Sequence, residues 1–156
     1  MTTTSTSTTS TTTAEAEVRG VLEEYAQAYV RRDPHAILAS FADGAARFGL
    51  APPLQQAPGT MVGDVAGLAA WLSGFDGPVR FEHRDLVVTT GGDVALAHAL
   101  TRLTATPAGA PEPFSFWFRS TFGLRRLDGR WRLVHEHQST PFHMDGSFRA
   151  AVDLEP

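Results

Sequence analysis

The stretch FRSTFGLRRLDGRWRLVHEHQSTPF, residues 118–142, decides the fold, because its pattern predicts two strands joined by a tight turn. Alternating apolar and polar residues flank Asp128-Gly129, a pair that favours a two-residue type I′ turn between antiparallel strands. With this turn, Leu127 lies opposite Arg130, and the pairing continues outward one residue at a time. The stretch therefore predicts a hairpin whose second strand ends in the segment HEH at 135–137.

The register of this hairpin predicts which side chains of the HEH segment lie together. Successive residues of a strand point to opposite faces of the sheet, so His135 and His137 share one face and Glu136 lies on the other. A bulge between the strands would shift this register, and curved sheets often contain bulges. Without one, the histidine face also carries Trp131, Leu133, Phe118 and Phe122, and the glutamate face carries Trp117 and Arg119.

The same alternation extends over the C-terminal half of the chain and predicts four strands. They run at about 79–89, 93–106, 113–126 and 130–140, and the turn-forming segments TTGGD, TPAGAPE and LDGR separate them.

The N-terminal half predicts three helices and one strand. Apolar residues recur every three or four positions over about Glu15–Arg32, which predicts an amphipathic helix. Asp33-Pro34 ends this helix and begins a second, short one that runs to Phe41. A strand follows at about Ala45–Leu50, and a third helix at Val65–Leu72. Helices followed by a run of strands predict an α+β fold, with the three helices packed on one face of a curved, mostly antiparallel sheet.

Composition excludes several kinds of chemistry and partner. The 156-residue chain has no cysteine and its thirteen basic residues are all arginine, which excludes disulfides, thiolate nucleophiles, cysteine–zinc sites and lysine Schiff bases. The formal charge of −4 gives no reason to expect nucleic acid or an anionic membrane as a partner. No apolar run approaches the length that a bilayer-spanning helix needs.

The chain begins with a low-complexity Thr/Ser tract, MTTTSTSTTSTTT, at residues 1–13. It lacks the basic and apolar regions of a secretory signal, and we expect it to be a disordered tail because it has nothing apolar to bury. Residues 14–156 are then expected to form a single domain, and the protein is expected in the cytoplasm.

The histidines of the HEH segment have three possible functions. His135 and His137 could bind a metal with His98 as the third ligand, but no carboxylate is obviously placed to complete the site, and we expect neither a metal nor another cofactor. They could instead be core residues that hydrogen-bond to their neighbours. The third possibility is acid–base catalysis at neutral pH.

Two other groups also have alternative roles. Arg119 and Glu136 lie diagonally across the hairpin, where they could form a surface salt bridge or a polar cluster at the mouth of a pocket with Trp117 as a wall. Tyr25 lies on the apolar stripe of the first helix, where it could pack in the core or donate a hydrogen bond to a developing oxyanion.

Three pieces of the sequence together resemble the NTF2-like superfamily, in particular its SnoaL-like and ketosteroid-isomerase-like proteins. They are the stretch at 118–142, YAQAYVRRDPHAILASFADGA at 25–45 and the trailing DLEP at 153–156. The resemblance covers about Glu15–Pro156 and implies a cone-shaped fold around a mostly apolar pocket, a small hydrophobic ligand and a homodimer built through the sheets. Such proteins include isomerases, cyclases, dehydratases and proteins without catalytic activity, so the fold does not settle the function.

The resemblance to ketosteroid isomerases extends to one residue of their site. Tyr25 lies eight residues before Asp33, as does the tyrosine that donates to the dienolate oxygen in those enzymes. Their catalytic base would fall eight residues after Phe41 of FADGA, on Gly49, which has no side chain. The resemblance therefore argues against an isomerase that uses this base.

We expect either an isomerase, cyclase or dehydratase that acts on a hydrophobic, polyketide-like carbonyl compound, or a non-catalytic ligand-binding or assembly module. In the enzyme, His137 faces the pocket and Glu136 holds Arg119 behind it. The expected catalytic residues are His137, His98 and Tyr25. The expected substrate-binding residues are Trp117, Arg119, Glu136 and His135.

Overall fold

The computed structural model describes residues 6–56 and 64–156, with side chains from Thr13 onward. Within these ranges the chain forms three helices and five strands in an α+β arrangement. The helices are α1 at Thr6–Val30, α2 at Pro34–Ala39 and α3 at Val65–Ser73. The strands are β1 at Phe41–Phe48, β2 at Phe75–Gly91, β3 at Val94–Pro107, β4 at Phe114–Leu127 and β5 at Arg130–Ser139.

Local sequence signals set the boundaries of the two shorter helices. The Asp33 side chain accepts a hydrogen bond from the Ala36 backbone N–H at 3.0 Å, and Pro34 occupies the first turn of α2, as the Asp-Pro pair predicts. Asp64 caps α3 in the same way, accepting from the Gly67 N–H at 2.8 Å. These caps satisfy backbone donors that a helix start otherwise leaves without a partner.

Two boundaries near the N-terminus differ from the predicted ones. Helix α1 begins at Thr6, inside the Thr/Ser tract for which the sequence predicts disorder, and residues 1–5 of that tract lie outside the described residues. Strand β1 begins at Phe41 rather than Ala45, because α2 already ends at Ala39 and the chain then extends to bury Phe41 in the core.

The five strands form one curved sheet in the order β1-β5-β4-β3-β2. Neighbouring pairs from β2 to β5 are antiparallel, as predicted. Strand β1 pairs with β5 in parallel, with Arg47 opposite Glu136, so the sheet is mixed. The sequence does not predict this parallel pair, because β1 and β5 lie at opposite ends of the chain and no turn signal connects them.

The β4–β5 hairpin has the predicted register only as far as Leu133. Leu127 pairs with Arg130 and Leu124 with Leu133, but the next pair is Gly123 with His135. Val134 therefore has no residue opposite it, which is the signature of a β-bulge.

Beyond the bulge, each side chain of β5 lies on the sheet face opposite to the one that the regular register predicts. Glu136 and Gln138 lie on the same face as Phe122 and Leu133, and all four are buried, whereas His137 on the other face is exposed. The predicted separation of the histidines from the glutamate is confirmed. The assignment of His137 to the inner side is wrong, because one extra residue inverts a two-residue period.

We call the sheet face that packs against the helices the inner face and the opposite one the outer face. Strand β3 presents Ala95, Ala97 and Ala99 to the inner face, and these small side chains leave room above the sheet for larger ones from α1 and β4. Helix α1 packs on the inner face with a buried stripe that consists of Val18, Leu22, Tyr25, Ala26 and Tyr29, and the Tyr25 ring contacts Phe81 of β2 and Phe122 of β4. Among the described residues, none of the helices combines the length and apolarity that a bilayer-spanning segment requires.

Candidate functional site

A cavity of about 530 Å³ opens between the helices, β1 and the inner face of the sheet. This volume lies in the range of small-molecule sites in proteins. Most of the wall is apolar, from Ile37, Leu38, Phe41, Leu68, Trp71, Phe81, Leu103 and Phe118. The polar lining side chains among the described residues are Tyr29, Arg47, Gln56, Asp64 and Gln138.

Arg47 brings a positive charge to this wall. It lies on β1 directly opposite Glu136 of β5, and its Nε is 2.6 Å from Glu136 Oε2. The Arg47 side chain is 17% exposed, whereas that of Glu136 is fully buried. The carboxylate therefore lies behind the guanidinium and fixes its position at the cavity wall.

The second oxygen of Glu136 accepts hydrogen bonds from two side chains, one on α1 and one on β5 itself. Its Oε1 accepts from the Tyr25 hydroxyl of α1 at 3.0 Å and from Gln138 Nε2 at 2.8 Å. Tyr29, one helical turn after Tyr25, has its hydroxyl 3.4 Å from the Tyr25 hydroxyl and accepts from Arg47 at 3.4 Å. A buried carboxylate requires such partners to compensate for the loss of water.

The electrostatics of this cluster keep the Tyr25 hydroxyl protonated and Arg47 charged at neutral pH. Burial, and then the negative charge of Glu136, raise the pKa of Tyr25 well above its ordinary value, so its hydroxyl remains a donor at neutral pH. Burial lowers the pKa of Arg47, but Glu136 and the two tyrosines together raise it by more. The net shift of the Arg47 pKa is therefore upward. Arg47 is therefore a permanent cation at the cavity.

A second polar chain runs across the inner face of the sheet from its β2 side. His83 Nδ1 lies 3.0 Å from Thr101 Oγ1, which lies 2.7 Å from Ser120 Oγ. Burial lowers the pKa of His83 below its ordinary value of 6.5, although Glu136 and Glu23 act in the opposite direction. The imidazole is therefore neutral at neutral pH.

The family follows from comparison with known proteins. A sequence model of the SnoaL-like domain matches residues 18–143. An NTF2-like protein of unknown function from Pseudomonas putida KT2440 is 34% identical and superimposes with a TM-score of 0.79, over 93% of this chain and 98% of that one. The chain belongs to the SnoaL-like family.

More distant similarities agree with this assignment at the level of the fold. A candidate scytalone dehydratase from Novosphingobium aromaticivorans shares 12% identity with a TM-score of 0.71, over 87% of this chain and 89% of that one. A ketosteroid isomerase-like protein from Erwinia carotovora atroseptica shares 19% identity with a TM-score of 0.65, over 80% and 94%. At these identities the similarity shows the fold alone. No curated protein matches the chain.

The structure brings two of the predicted site residues of this SnoaL-like protein together. Tyr25 and Glu136 meet in the cluster behind the cavity wall, although the sequence does not pair them. Glu136 holds Arg47 rather than Arg119, because the bulge turns Glu136 to the inner face and leaves Arg119 exposed on the outer one.

The other predicted site residues lie on or beside the outer face. His98 and His137 are exposed there, one on each side of Thr121 in the same cross-strand row. His135 Nδ1 lies 3.1 Å from the Ala46 carbonyl of β1. Trp117 donates from its indole N–H to Glu155 at 2.8 Å and lies under the Arg102 guanidinium at 5.2 Å.

Sequence reasoning missed Arg47 and Gln138 as lining residues. Arg47 occurs in the apolar run AARFGL, where a single arginine signals a charge that needs a partner, but only the parallel β1–β5 register identifies that partner. Gln138 lies two residues after Glu136 on β5 and shares its face, which the bulge makes the inner one. In the described ranges, no group of three or more His, Asp or Glu side chains is arranged to hold a metal ion.

We expect Glu136→Gln to lower the free energy of unfolding by about 3–5 kcal/mol, because it leaves the buried Arg47 charge without its counter-ion. Urea denaturation followed by circular dichroism measures this change. The control is Glu15→Gln, which breaks the partly exposed Glu15–Arg19 pair and should cost less than about 1 kcal/mol. Equal effects of the two substitutions would contradict the role assigned to Glu136.

The lowered pKa of His83 predicts a pH dependence of stability. Below about pH 6.5 the unfolded chain binds a proton at this histidine that the folded chain does not yet bind, so the free energy of unfolding falls as the pH decreases from there toward the folded pKa. We expect His83→Gln to remove this component and to give a shallower slope between about pH 7 and about pH 5. A slope that His83→Gln leaves unchanged would contradict this assignment.

Proposed function

We propose that this SnoaL-like protein binds a small apolar molecule and directs one of its oxygen atoms to Arg47. The observation that carries this proposal is a fixed guanidinium at the wall of a mostly apolar cavity. In a cavity with little water, a cation is a strong partner for a carbonyl oxygen, and the apolar walls supply the remaining affinity.

The chemistry this arrangement favours is enolisation of the bound carbonyl compound, as in an isomerase, cyclase or dehydratase. When the C–H bond next to a carbonyl breaks and a solvent water molecule takes the proton, the electron pair forms the C=C bond of the enolate and negative charge develops on the oxygen. A preorganised cation and phenol stabilise that charge. Arg47 and Tyr29 line the cavity and supply these groups. Tyr25 contacts Tyr29 and Glu136 and acts as a positioning residue behind them.

The proposal does not use the histidines that the sequence predicts as catalytic. The described lining of the cavity contains no imidazole, and His98 and His137 are exposed on the outer face of the sheet. Their acid–base role stays a prediction. On the outer face they would contact a second copy of the chain rather than the ligand in the cavity.

Removal of the cation tests the binding mode. We expect the double substitution Arg47→Met with Glu136→Gln to weaken binding of α-tetralone, a bicyclic ketone, by about ten-fold or more, because a charged hydrogen bond to its oxygen is lost. Tetralin, the same skeleton without the oxygen, should bind both proteins equally. Calorimetric titration measures both, and an unchanged tetralone affinity would exclude Arg47 as the receptor of the oxygen.

Exchange of the tetralone hydrogens next to the carbonyl separates an enzyme from a binding module. In deuterated buffer we expect the protein to accelerate their replacement by deuterium, measured by proton NMR, and the double variant to lose the acceleration. Binding without acceleration would favour the alternative, a non-catalytic ligand-binding module of the same fold.

We further propose that the protein is a homodimer that associates through the outer face of its sheet. This face exposes Val87, Val94 and Leu96 by 47%, 56% and 54%, and a sheet with apolar residues exposed on the side away from the helices favours a partner. His98 lies directly opposite Val87, and His137 lies further along the same cross-strand row beyond Thr121, so a partner that covers this face would cover both.

We expect Leu96→Arg to shift the protein to the monomer in sedimentation-velocity experiments, because it places a charge in the apolar part of this interface. Leu54→Arg is the matched control, since Leu54 is exposed in the segment after β1 rather than on the sheet. A monomeric parent protein would exclude the proposal, as would a dimer that tolerates Leu96→Arg.

A further inference from the structure

The positive charge of Arg47 is already matched before a ligand enters the cavity. Arg47 is the cation among the described lining residues, and Glu136 lies 2.6 Å behind it. A carboxylate on the ligand would therefore meet a neutral pair rather than an unmatched positive charge. It would lose its hydration on entering the cavity without the full Coulombic compensation that burial of a charge requires.

A second carboxylate at the cavity adds negative charge to it. Asp64, the capping residue of α3, belongs to the lining, and its oxygen accepts from the Gly67 N–H. Together, Arg47, Glu136 and Asp64 give the cavity and the layer behind it a net negative charge. Asp64 is exposed, so solvent and salt screen its charge, but the sign of this charge opposes an anionic ligand and leaves a neutral polar group unaffected.

The cavity also contains a buried side-chain acceptor, Gln56 Oε1. Gln56 pairs with Arg47 in an antiparallel bridge, with its N–H donating to the Arg47 carbonyl at 3.1 Å, so the two side chains lie on the same side. Both line the cavity, and Gln56 Oε1 is buried without a hydrogen-bond partner among residues 6–56 and 64–156. A buried acceptor without a donor is unfavourable, and a ligand hydroxyl or N–H would satisfy it.

We infer that the ligand is uncharged and carries a carbonyl group with a hydroxyl or N–H donor close to it, as a hydroxyketone does. The carbonyl oxygen lies against Arg47, and the neighbouring donor binds Gln56 Oε1. This inference rests on the proposed function and narrows its ligand from any oxygen-bearing apolar molecule to this class.

Four compounds that share one bicyclic skeleton test the inference by calorimetric titration. They are tetralin, α-tetralone, the tetralone that carries a hydroxyl on the carbon next to its carbonyl, and tetralin carboxylate. We expect the hydroxytetralone to bind about three- to ten-fold more tightly than the tetralone, and the carboxylate to bind at least about ten-fold more weakly than the tetralone.

Two variants connect these differences to the residues named. Gln56→Leu should abolish the advantage of the hydroxytetralone over the tetralone and leave the affinity for the tetralone unchanged. Asp64→Asn retains a capping side chain and should improve binding of the carboxylate several-fold without changing binding of the tetralone. Asp33→Asn makes the same substitution at the cap of α2, outside the lining, and should change none of the affinities.

The outcomes separate this inference from the proposed function. A carboxylate that binds as tightly as the tetralone overturns the charge argument, and a hydroxytetralone advantage that survives Gln56→Leu overturns the role of Gln56. In both cases the oxygen-binding cavity remains. If all four compounds fail to bind, the proposed function fails and this inference fails with it.

Discussion

The ion pair between Arg47 and Glu136 is the interaction on which the candidate site depends. It joins β1 to β5, and through the hydrogen bonds of Glu136 it also reaches α1 and the end of β5. Burying two charges costs desolvation energy that a well-packed apolar pair would avoid, so stability alone gives little reason for such a pair in a protein core. What the pair does provide is a guanidinium whose position is fixed at the wall of an apolar cavity. A flexible arginine at the mouth of the cavity would lose side-chain entropy on binding, whereas this one is already ordered.

The bulge at Val134 is the second constraint, because it determines which chemistry enters the core. Upstream of it, Trp131 and Leu133 point inward, and without the extra residue His135 and His137 would follow them. With it, Glu136 faces Arg47 and the two histidines lie on the other side of the sheet. The extra residue therefore places a carboxylate rather than two imidazoles on the inner face, because the side-chain period of a strand is two.

The sequence predicts the parts of this structure that depend on neighbours in the chain. Asp33-Pro34 separates α1 from α2 because Asp33 caps the start of α2 and Pro34 fits its first turn. Asp128-Gly129 sets the hairpin and its register as far as Leu133. The bulge has no such signal, since Val134 suits a regular strand as well as a bulged one. The parallel pairing of β1 with β5 and the contact of Tyr25 with Glu136, 111 positions apart, depend on tertiary packing that no local pattern encodes. The sequence therefore predicts Tyr25 and Glu136 as individual site residues, but it does not predict the cluster that they form with Arg47.

The two faces of the sheet separate two kinds of polar chemistry. On the inner face, polar side chains are few, buried and paired with one another, so the proposed ligand would meet partners that are already in place, with the charge of Arg47 matched by Glu136. On the outer face, His98, Arg119 and His137 are exposed beside apolar residues, an arrangement typical of a surface that a protein partner covers rather than of a small-molecule cavity. Residue type alone favours the histidines as the reactive groups. Burial favours other groups, because a polar group acts most strongly where water does not compete with it. In this fold Arg47 and Tyr29, rather than the histidines, lie where water is largely excluded.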